Sequence, residues 1–284
     1  MEALSLAVRF SRLMGARLDL LHVLSPFTVP AEALDLQGEW DEYNAERRRE
    51  VEARLRQIVS EKVPESVRTE TLVREGTPAS VITTVAGDQR SNLLIISTQG
   101  LTGLKRFLLG SVAETVVRQA PCPVLAFRGR SPARTAFPEK ATAIGFDRVL
   151  VPVDFSASTP TLVKYAVQFA KQFQSRLLLL HVVEHINAPT RLVRLATGLQ
   201  MVVLERGIRR LNDLASRLVP PEIKTDKIVR VGTPYDIIRS IARAEKAELI
   251  IIATRGYGAV KGFFLGSTAG RVVRHSPCPV LVTR

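Results

Sequence analysis

Short apolar runs alternate along the chain with longer segments whose apolar positions recur at helical spacing. This alternation is the signature of a parallel α/β sheet. In the C-terminal half it predicts strands at Arg148–Val153, Arg176–Val183, Ile223–Val229, Leu249–Ala253 and Val280–Thr283. Helices are predicted between them near Thr159–Gln172, Leu192–Leu218, Pro234–Ala244 and Ser267–Arg274. Five strands joined by four helical crossovers make one doubly wound domain. In the N-terminal half the matching strands are Arg17–Val23, Val67–Val73, Leu93–Ile96 and Val124–Phe127, with a charged helix around Asp41–Val59.

The two halves are copies of one another. Ser97–Arg128 reads STQGLTGLKRFLLGSVAETVVRQAPCPVLAFR, and Ala253–Arg284 reads ATRGYGAVKGFFLGSTAGRVVRHSPCPVLVTR, at an offset of 156 residues. The same offset relates Val73–Pro78 (VREGTP) to Val229–Pro234 (VRVGTP), whereas Leu18–Val23 matches Leu177–Val182 at an offset of 159. A period this long is a duplicated domain, since solenoid repeats run to about 20–50 residues. The expected fold is therefore two tandem α/β domains with five-stranded parallel sheets in strand order 3-2-1-4-5. The first spans residues 1–130, a Pro- and Gly-containing linker covers 131–146, and the second spans 147–284.

Nothing in the first copy corresponds to Asp147–Pro160, the first strand and the loop after it, because Leu4–Phe10 aligns with Val163–Phe169. The first copy thus lacks its first strand in this chain. That strand is central in a doubly wound sheet, and leaving it out strands backbone groups on both neighbours. The expectation from the alignment is a natural protein beginning about 19 residues upstream, with Met1 an internal methionine.

Composition narrows the classes. With 46% hydrophobic residues in 284, the chain buries sizeable cores, and general disorder is excluded. No run approaches eighteen consecutive apolar residues and the first residues lack a secretory pattern, so the reading is of a soluble, cytoplasmic protein with no membrane partner. Cys122 and Cys278 each lie in a Pro-Cys-Pro-Val context, which suits reduced, buried thiols better than a disulfide framework or a metal site. The net charge of +13 is uneven. Before Gly145 there are 19 basic and 17 acidic residues, and after it 21 and 10. The second half therefore seeks anions: phosphate, nucleic acid or an acidic partner.

Two loops of the second copy can carry chemistry. Leu249–Ala253 ends in small residues, a loop containing Gly256 and Gly258 follows, and Gly266-Ser267-Thr268 opens a helix. Such a start presents backbone N–H groups and a hydroxyl at the positive end of the helix dipole, where phosphate binds. The competing reading gives the glycines to turns and Ser267 to capping. Gly100, Gly110 and Ser111 recur at the same spacing in the first copy. The second loop is Pro152-Val153-Asp154-Phe155-Ser156, at the exit of the first strand, where open α/β sheets bind ligands. Asp154 can accept hydrogen bonds from a base or ribose there, or cap the next helix together with Ser156.

These segments, with the LLHVV strand, the VGTPYDII segment and the final SPCPVLV, resemble the universal stress protein family, and the pair of copies resembles its tandem-domain members. The resemblance covers nearly the whole chain. It implies ATP, with or without magnesium, held by phosphate contacts at Gly256, Gly266 and Ser267. It also implies base or ribose contacts at Pro152, Val153 and Asp154, and a backbone contact to adenine at Val182. In the first copy only Val23, Gly100, Gly110 and Ser111 match, so that copy is expected to bind poorly or not at all. The sequence departs from the family's Gly-x-x-Gly-x9-Gly-Ser/Thr pattern at its first glycine, which is Ala253 here and Ser97 in the first copy. Both are small, so close backbone approach survives unless φ must be positive. The resemblance further implies that Val124–Phe127 and Val280–Thr283 pair to join the copies into an intramolecular pseudo-dimer, with a homodimer as a further step.

The remaining polar residues read more simply. His22 and His181 end matching strands with no second ligand at metal spacing, and read as structural. Arg47–Arg49 lie among acidic residues on a solvated helix face. Arg191, Arg194, Arg206, Arg209, Arg210 and Arg217 form a one-sided basic stretch with no aromatic stacking platform, which disfavours nucleic acid. Arg255 and Lys261 lie inside the phosphate loop, to neutralise phosphates or to face solvent. No general base accompanies the loop, so the expected function is nucleotide binding by a stress-response regulator or sensor, with at most slow ATP hydrolysis. The alternative is a stress-protein module that binds no nucleotide and engages protein or nucleic acid through its basic second half.

Overall fold

The computed structural model describes residues 2–26, 37–98, 110–127, 146–186, 189, 193–254 and 266–283. The chain packs as two compact units, Met1–Ser91 and Asn92–Arg284.

The first unit holds α1 (Glu2–Met14), β1 (Leu18–Leu24), α2 (Gln37–Lys62), β2 (Thr69–Glu75) and α3 (Pro78–Asp88). Its two strands run parallel, in register from Leu18↔Thr69 to Leu24↔Glu75. The small core gathers Leu6, Val8 and Phe10 from the apolar face of α1, Leu18 and Leu24 from β1, and Leu72 and Val73 from β2. Helix α2 is charged along its length, and Arg48 pairs with Glu52 one turn on at 3.2 Å.

The second unit begins with the rest of the first copy, β3 (Leu94–Ser97), α4 (Ser111–Gln119) and β4 (Val124–Phe127). The whole second copy follows: β5 (Arg148–Val153), α5 (Thr159–Phe173), β6 (Arg176–Val183), α6 (Val193–Leu218), β7 (Thr225–Val231), α7 (Pro234–Ala244), β8 (Leu249–Ala253), α8 (Ser267–His275) and β9 (Val280–Thr283). Seven strands form one sheet in the order β3-β4-β9-β8-β5-β6-β7. All its pairings are parallel except β4 with β9, the last strands of the two copies, which run antiparallel from Val124↔Val282 to Ala126↔Val280. At this junction Leu125 is fully buried, and Arg274 of α8 reaches Glu114 of α4 at 2.7 Å. The cut between compact units falls inside the first copy because β4 pairs with β9 of the second copy, and β3 and α4 pack on β4.

Central parallel strands are covered on both faces, and this explains why their sequences are unbroken apolar runs. Val149–Val151, Leu177–Leu180 and Leu249–Ile251 are all at most 1% exposed. Of the linker expected over 131–146 only Phe146 is described. It is fully buried, edge-on to Phe169 and Phe173 of α5, which stack on one another at 4.2 Å. Strand β7 starts two residues later than the apolar pattern predicts, because Ile223 N–H donates to Pro220 O and closes a turn first.

The repeated Gly-Thr-Pro segment is a strand-to-helix corner. Gly76 and Gly232 have φ of 138° and 151°, a region that side chains disfavour. Their N–H groups extend the sheet, Gly76 to Leu24 O and Gly232 to Val183 O. A Cβ on Gly232 would stand 2.9 Å from Ile237, and one on Gly76 would stand 2.8 Å from Val81. Thr77 and Thr233 then occupy the N-cap position, and Pro78 and Pro234 start the helices, where a missing N–H costs nothing. Gly232→Ala is expected to destabilise the second unit by about 1–3 kcal/mol, through backbone strain and the Ile237 contact, as a lowered urea midpoint.

Candidate functional site

The pairing of β5 with β8 is short. Strand β5 stays in register with β6 through Val153↔His181, but with β8 only at Val149↔Leu249 and Leu150↔Ile250. Strand β8 follows β9 instead, through Ala253↔Thr283, and Thr254 N–H donates to Thr283 O beyond it. Beyond Leu150 the facing edges of β5 and β8 share no paired residues, and the carboxyl ends of such strands are where open α/β sheets receive ligands. Pro152 lies in this stretch, where an absent N–H is tolerated. In the chain's topology this is also the switch point, with β6 and β7 to one side and β9 to the other.

The predicted residues of the second copy lie around these strand ends. Pro152 is half-buried, Val153 is buried at the end of β5, and Asp154 is exposed just beyond it. Val182 sits one position past the last β5–β6 pair, with only Arg230 of β7 opposite it. Gly266 caps α8, and its N–H donates to Thr254 O at 2.9 Å, which fastens the helix start to the end of β8. A Cβ at Gly266 would stand 3.3 Å from that same carbonyl. Ser267 is exposed in the first turn. The N–H groups of Ser267, Thr268 and Ala269 have no acceptor within the helix, and the helix dipole adds positive potential there. Gly256, Arg255 and Lys261 lie outside the described residues.

Asp154 has a structural duty. Its Oδ1 accepts from Ser156 N–H at 3.0 Å and from the Thr159 hydroxyl at 3.2 Å, and the Ser156 and Ser158 hydroxyls lie 3.0 Å apart. The carboxylate therefore shapes the turn that leads into α5, but it does not cap the helix: the N-cap residue is Ser158, with no side-chain cap hydrogen bond.

In the first copy Gly110 N–H donates to Thr98 O, and Ser111 opens α4, the same construction as at Gly266 and Ser267. Val23 belongs to the first unit and Gly110 and Ser111 to the second, so no one unit assembles that set. Gly100 lies outside the described residues.

Four residues beside the site carry contacts that local pattern does not reveal. His181 lies with Nδ1 3.0 Å from Val153 O, so that nitrogen carries the proton and donates. Burial is the main cause holding its pKa below the ordinary histidine value; Arg210 adds to this, while the Val153 hydrogen bond and Asp154 oppose it. The Phe155 ring centroid lies 4.4 Å from that of His181, and the Arg210 guanidinium lies 4.2 Å from the Phe155 centroid. Gly207 admits the imidazole, since a Cβ there would stand 3.0 Å from His181 Cδ2. Of the basic stretch on α6, Arg210 thus stacks on an aromatic ring and Arg217 pairs with Asp213 at 2.8 Å, while Arg191 lies outside the described residues. The two cysteines are buried and form no disulfide, and burial pushes the Cys278 thiol up to about 12. Among the described residues no cluster of three or more His, Cys, Asp or Glu can hold a metal, and no helix is long and apolar enough to cross a membrane.

Comparison with known proteins places these features in context. Residues 1–128 and 145–284 each match the universal stress protein family. A universal stress protein of Mycolicibacterium smegmatis is 24% identical over 285 residues, covering 98% of this chain and 90% of that protein. One from Methanocaldococcus jannaschii is 34% identical over 128 residues, covering 44% of this chain and 72% of that protein. The crystal structure of a universal stress protein from Archaeoglobus fulgidus is similar in fold, with a TM-score of 0.64 at 24% identity, covering 99% of this chain and 91% of that one.

Because Asp154 organises the turn into α5, Asp154→Ala is expected to cost about 1 kcal/mol of stability, read as a lowered urea midpoint. Asp154→Asn keeps an acceptor at the same place and is expected to recover most of that loss.

Proposed function

The chain belongs to the universal stress protein family, and we propose that its second copy binds an adenine nucleotide, ATP, at the carboxyl ends of β5 and β8, the protein serving as a nucleotide-responsive regulator or sensor. The observation that carries this reading is the end of the β5–β8 pairing at Leu150, at the switch point of the sheet, with the start of α8 tied to the end of β8. One side of the site offers unpaired helix N–H groups, suited to phosphates. The other offers Pro152, Val153 and the Asp154 turn, suited to the base and ribose, with the backbone of Val182 beside them. Gly256 and Ser267 complete the phosphate contacts in this reading. Magnesium, where it takes part, arrives on the phosphates, as it does in sites that lack a protein cage of oxygen ligands.

The chemistry assigned to these residues is binding. Helix N–H groups hold phosphate charge without activating water, so hydrolysis is slow at most. The excess of 21 basic over 10 acidic residues after Gly145 favours an anionic ligand in this half. The first copy keeps the helix-start geometry at Gly110 and Ser111.

Isothermal titration with ATP, with and without magnesium, tests the proposal. One site is expected in the wild-type chain and none in Gly266→Asp, whose carboxylate would stand at the phosphate position. The variant's melting temperature without nucleotide serves as the folding control. No heat from the wild type, together with an unchanged melting temperature at millimolar ATP, overturns the nucleotide reading in favour of a partner-binding module.

A further inference from the structure

Four non-glycine residues among those described have positive φ: Arg90, Phe155, Gln174 and Lys246. Three of them follow the ends of α3, α5 and α7, the ordinary place for a left-handed residue. Phe155, at φ 58°, follows a strand instead, and lies directly after Asp154. A bulky side chain holds this conformation only where its surroundings over-determine it.

Those surroundings are a column of three side chains from three elements. The ring of Phe155 lies 4.4 Å from that of His181, on β6, and 4.2 Å from the guanidinium of Arg210, on α6. His181 is in turn tied to β5 by its hydrogen bond to Val153 O. Gly207 and Arg210 are three residues apart and share a face of α6, the first admitting the imidazole and the second stacking on Phe155. The column thus connects α6 to the turn in which Asp154 receives Ser156 N–H and the Thr159 hydroxyl.

We propose that the Phe155–His181–Arg210 column is a positioning device that holds the Asp154 turn in its ligand-receiving geometry, so that nucleotide affinity depends on the seating of α6 and falls when His181 takes up a proton. The affinity part rests on the nucleotide reading given above; the holding of the turn does not. Neutral His181 already donates through Nδ1, so a second proton goes to Nε2, on the side of the ring that faces Gly207. The charged groups facing the ring are Arg210 from α6, which repels the imidazolium, and Asp154 from the turn, which attracts it; β5 presents the Val153 carbonyl. Burial and Arg210 prevail and favour the neutral ring. A folded-state pKa below the unfolded value means that the column is intact above about pH 6.5 and weakens as pH falls through that value towards the folded pKa.

The test uses the full chain. ATP affinity is measured at pH 7.5 and 5.5 for the wild type and for His181→Asn, whose amide can still donate to Val153 O but does not titrate. Subtracting the two profiles removes the nucleotide's own titration. The wild type is expected to lose at least about threefold more affinity on acidification than His181→Asn. At pH 7.5, Arg210→Met and Phe155→Gly are each expected to weaken ATP at least about threefold, with partial recovery in Arg210→Lys. In the absence of nucleotide, Arg210→Met is expected to raise the His181 pKa, read by proton NMR, and to speed amide hydrogen exchange over residues 155–159. Wild-type affinity in Arg210→Met and Phe155→Gly, with the same pH profile in the wild type and His181→Asn, overturns the proposal while leaving the nucleotide reading intact. A wild type that binds no ATP refutes the nucleotide reading and the affinity claim; exchange over residues 155–159 then decides the holding role, and an unchanged rate in Arg210→Met overturns it.

Discussion

A strand inside a parallel sheet keeps two neighbours only while all three run together, and β5 keeps β8 for only two residue pairs. That early end of the ladder falls at the carboxyl ends of the two strands, places Pro152 where its missing N–H does no harm, and precedes the turn that Asp154 builds. Beyond the same point β8 continues along β9 to Thr254, whose carbonyl anchors Gly266 and with it the positive end of α8. Both sides of the site are therefore set by the same backbone event, and the side chains refine it.

The tandem arrangement rests on a second backbone constraint. An edge strand carries a row of unsatisfied groups, and β9 would be an edge if the sheet of the second copy stood alone. Its antiparallel pairing with β4 covers that edge with the equivalent strand of the first copy, buries Leu125 against it, and draws β3 and α4 into the same unit. Duplication of a domain with an exposed last strand thus supplies its own cover.

Much of the fold is legible in the sequence because the relevant forces are local or periodic. Apolar runs bounded by turn residues locate β5, β6, β8 and β9 at the residues observed, and Gly232-Thr233-Pro234 specifies a corner through φ, cap and proline within three residues. Strand β7 is misplaced by two residues because a hydrogen-bonded turn from Pro220 to Ile223 overrides the apolar pattern. At the site, Gly266 and Ser267 are recognisable because a helix start announces itself in residue type, whereas Asp154 builds the turn before α5 and the N-cap position falls to Ser158. His181 reads only as a strand-end histidine and Arg210 only as one charge in a basic helix, since nothing near either residue in sequence mentions the other.

By itself, the sequence determined the elements, their duplication and the residues that open helices, all of which depend on spacings of a few residues. The tertiary structure decided which strands are neighbours, where their ladders stop, and that Phe155, His181 and Arg210 meet beside the Asp154 turn. Contacts of that kind join residues far apart in the chain, and they exist only after the sheet has closed and α6 has come down on it, because ring stacking and burial act over a few ångströms and leave no periodic trace in sequence.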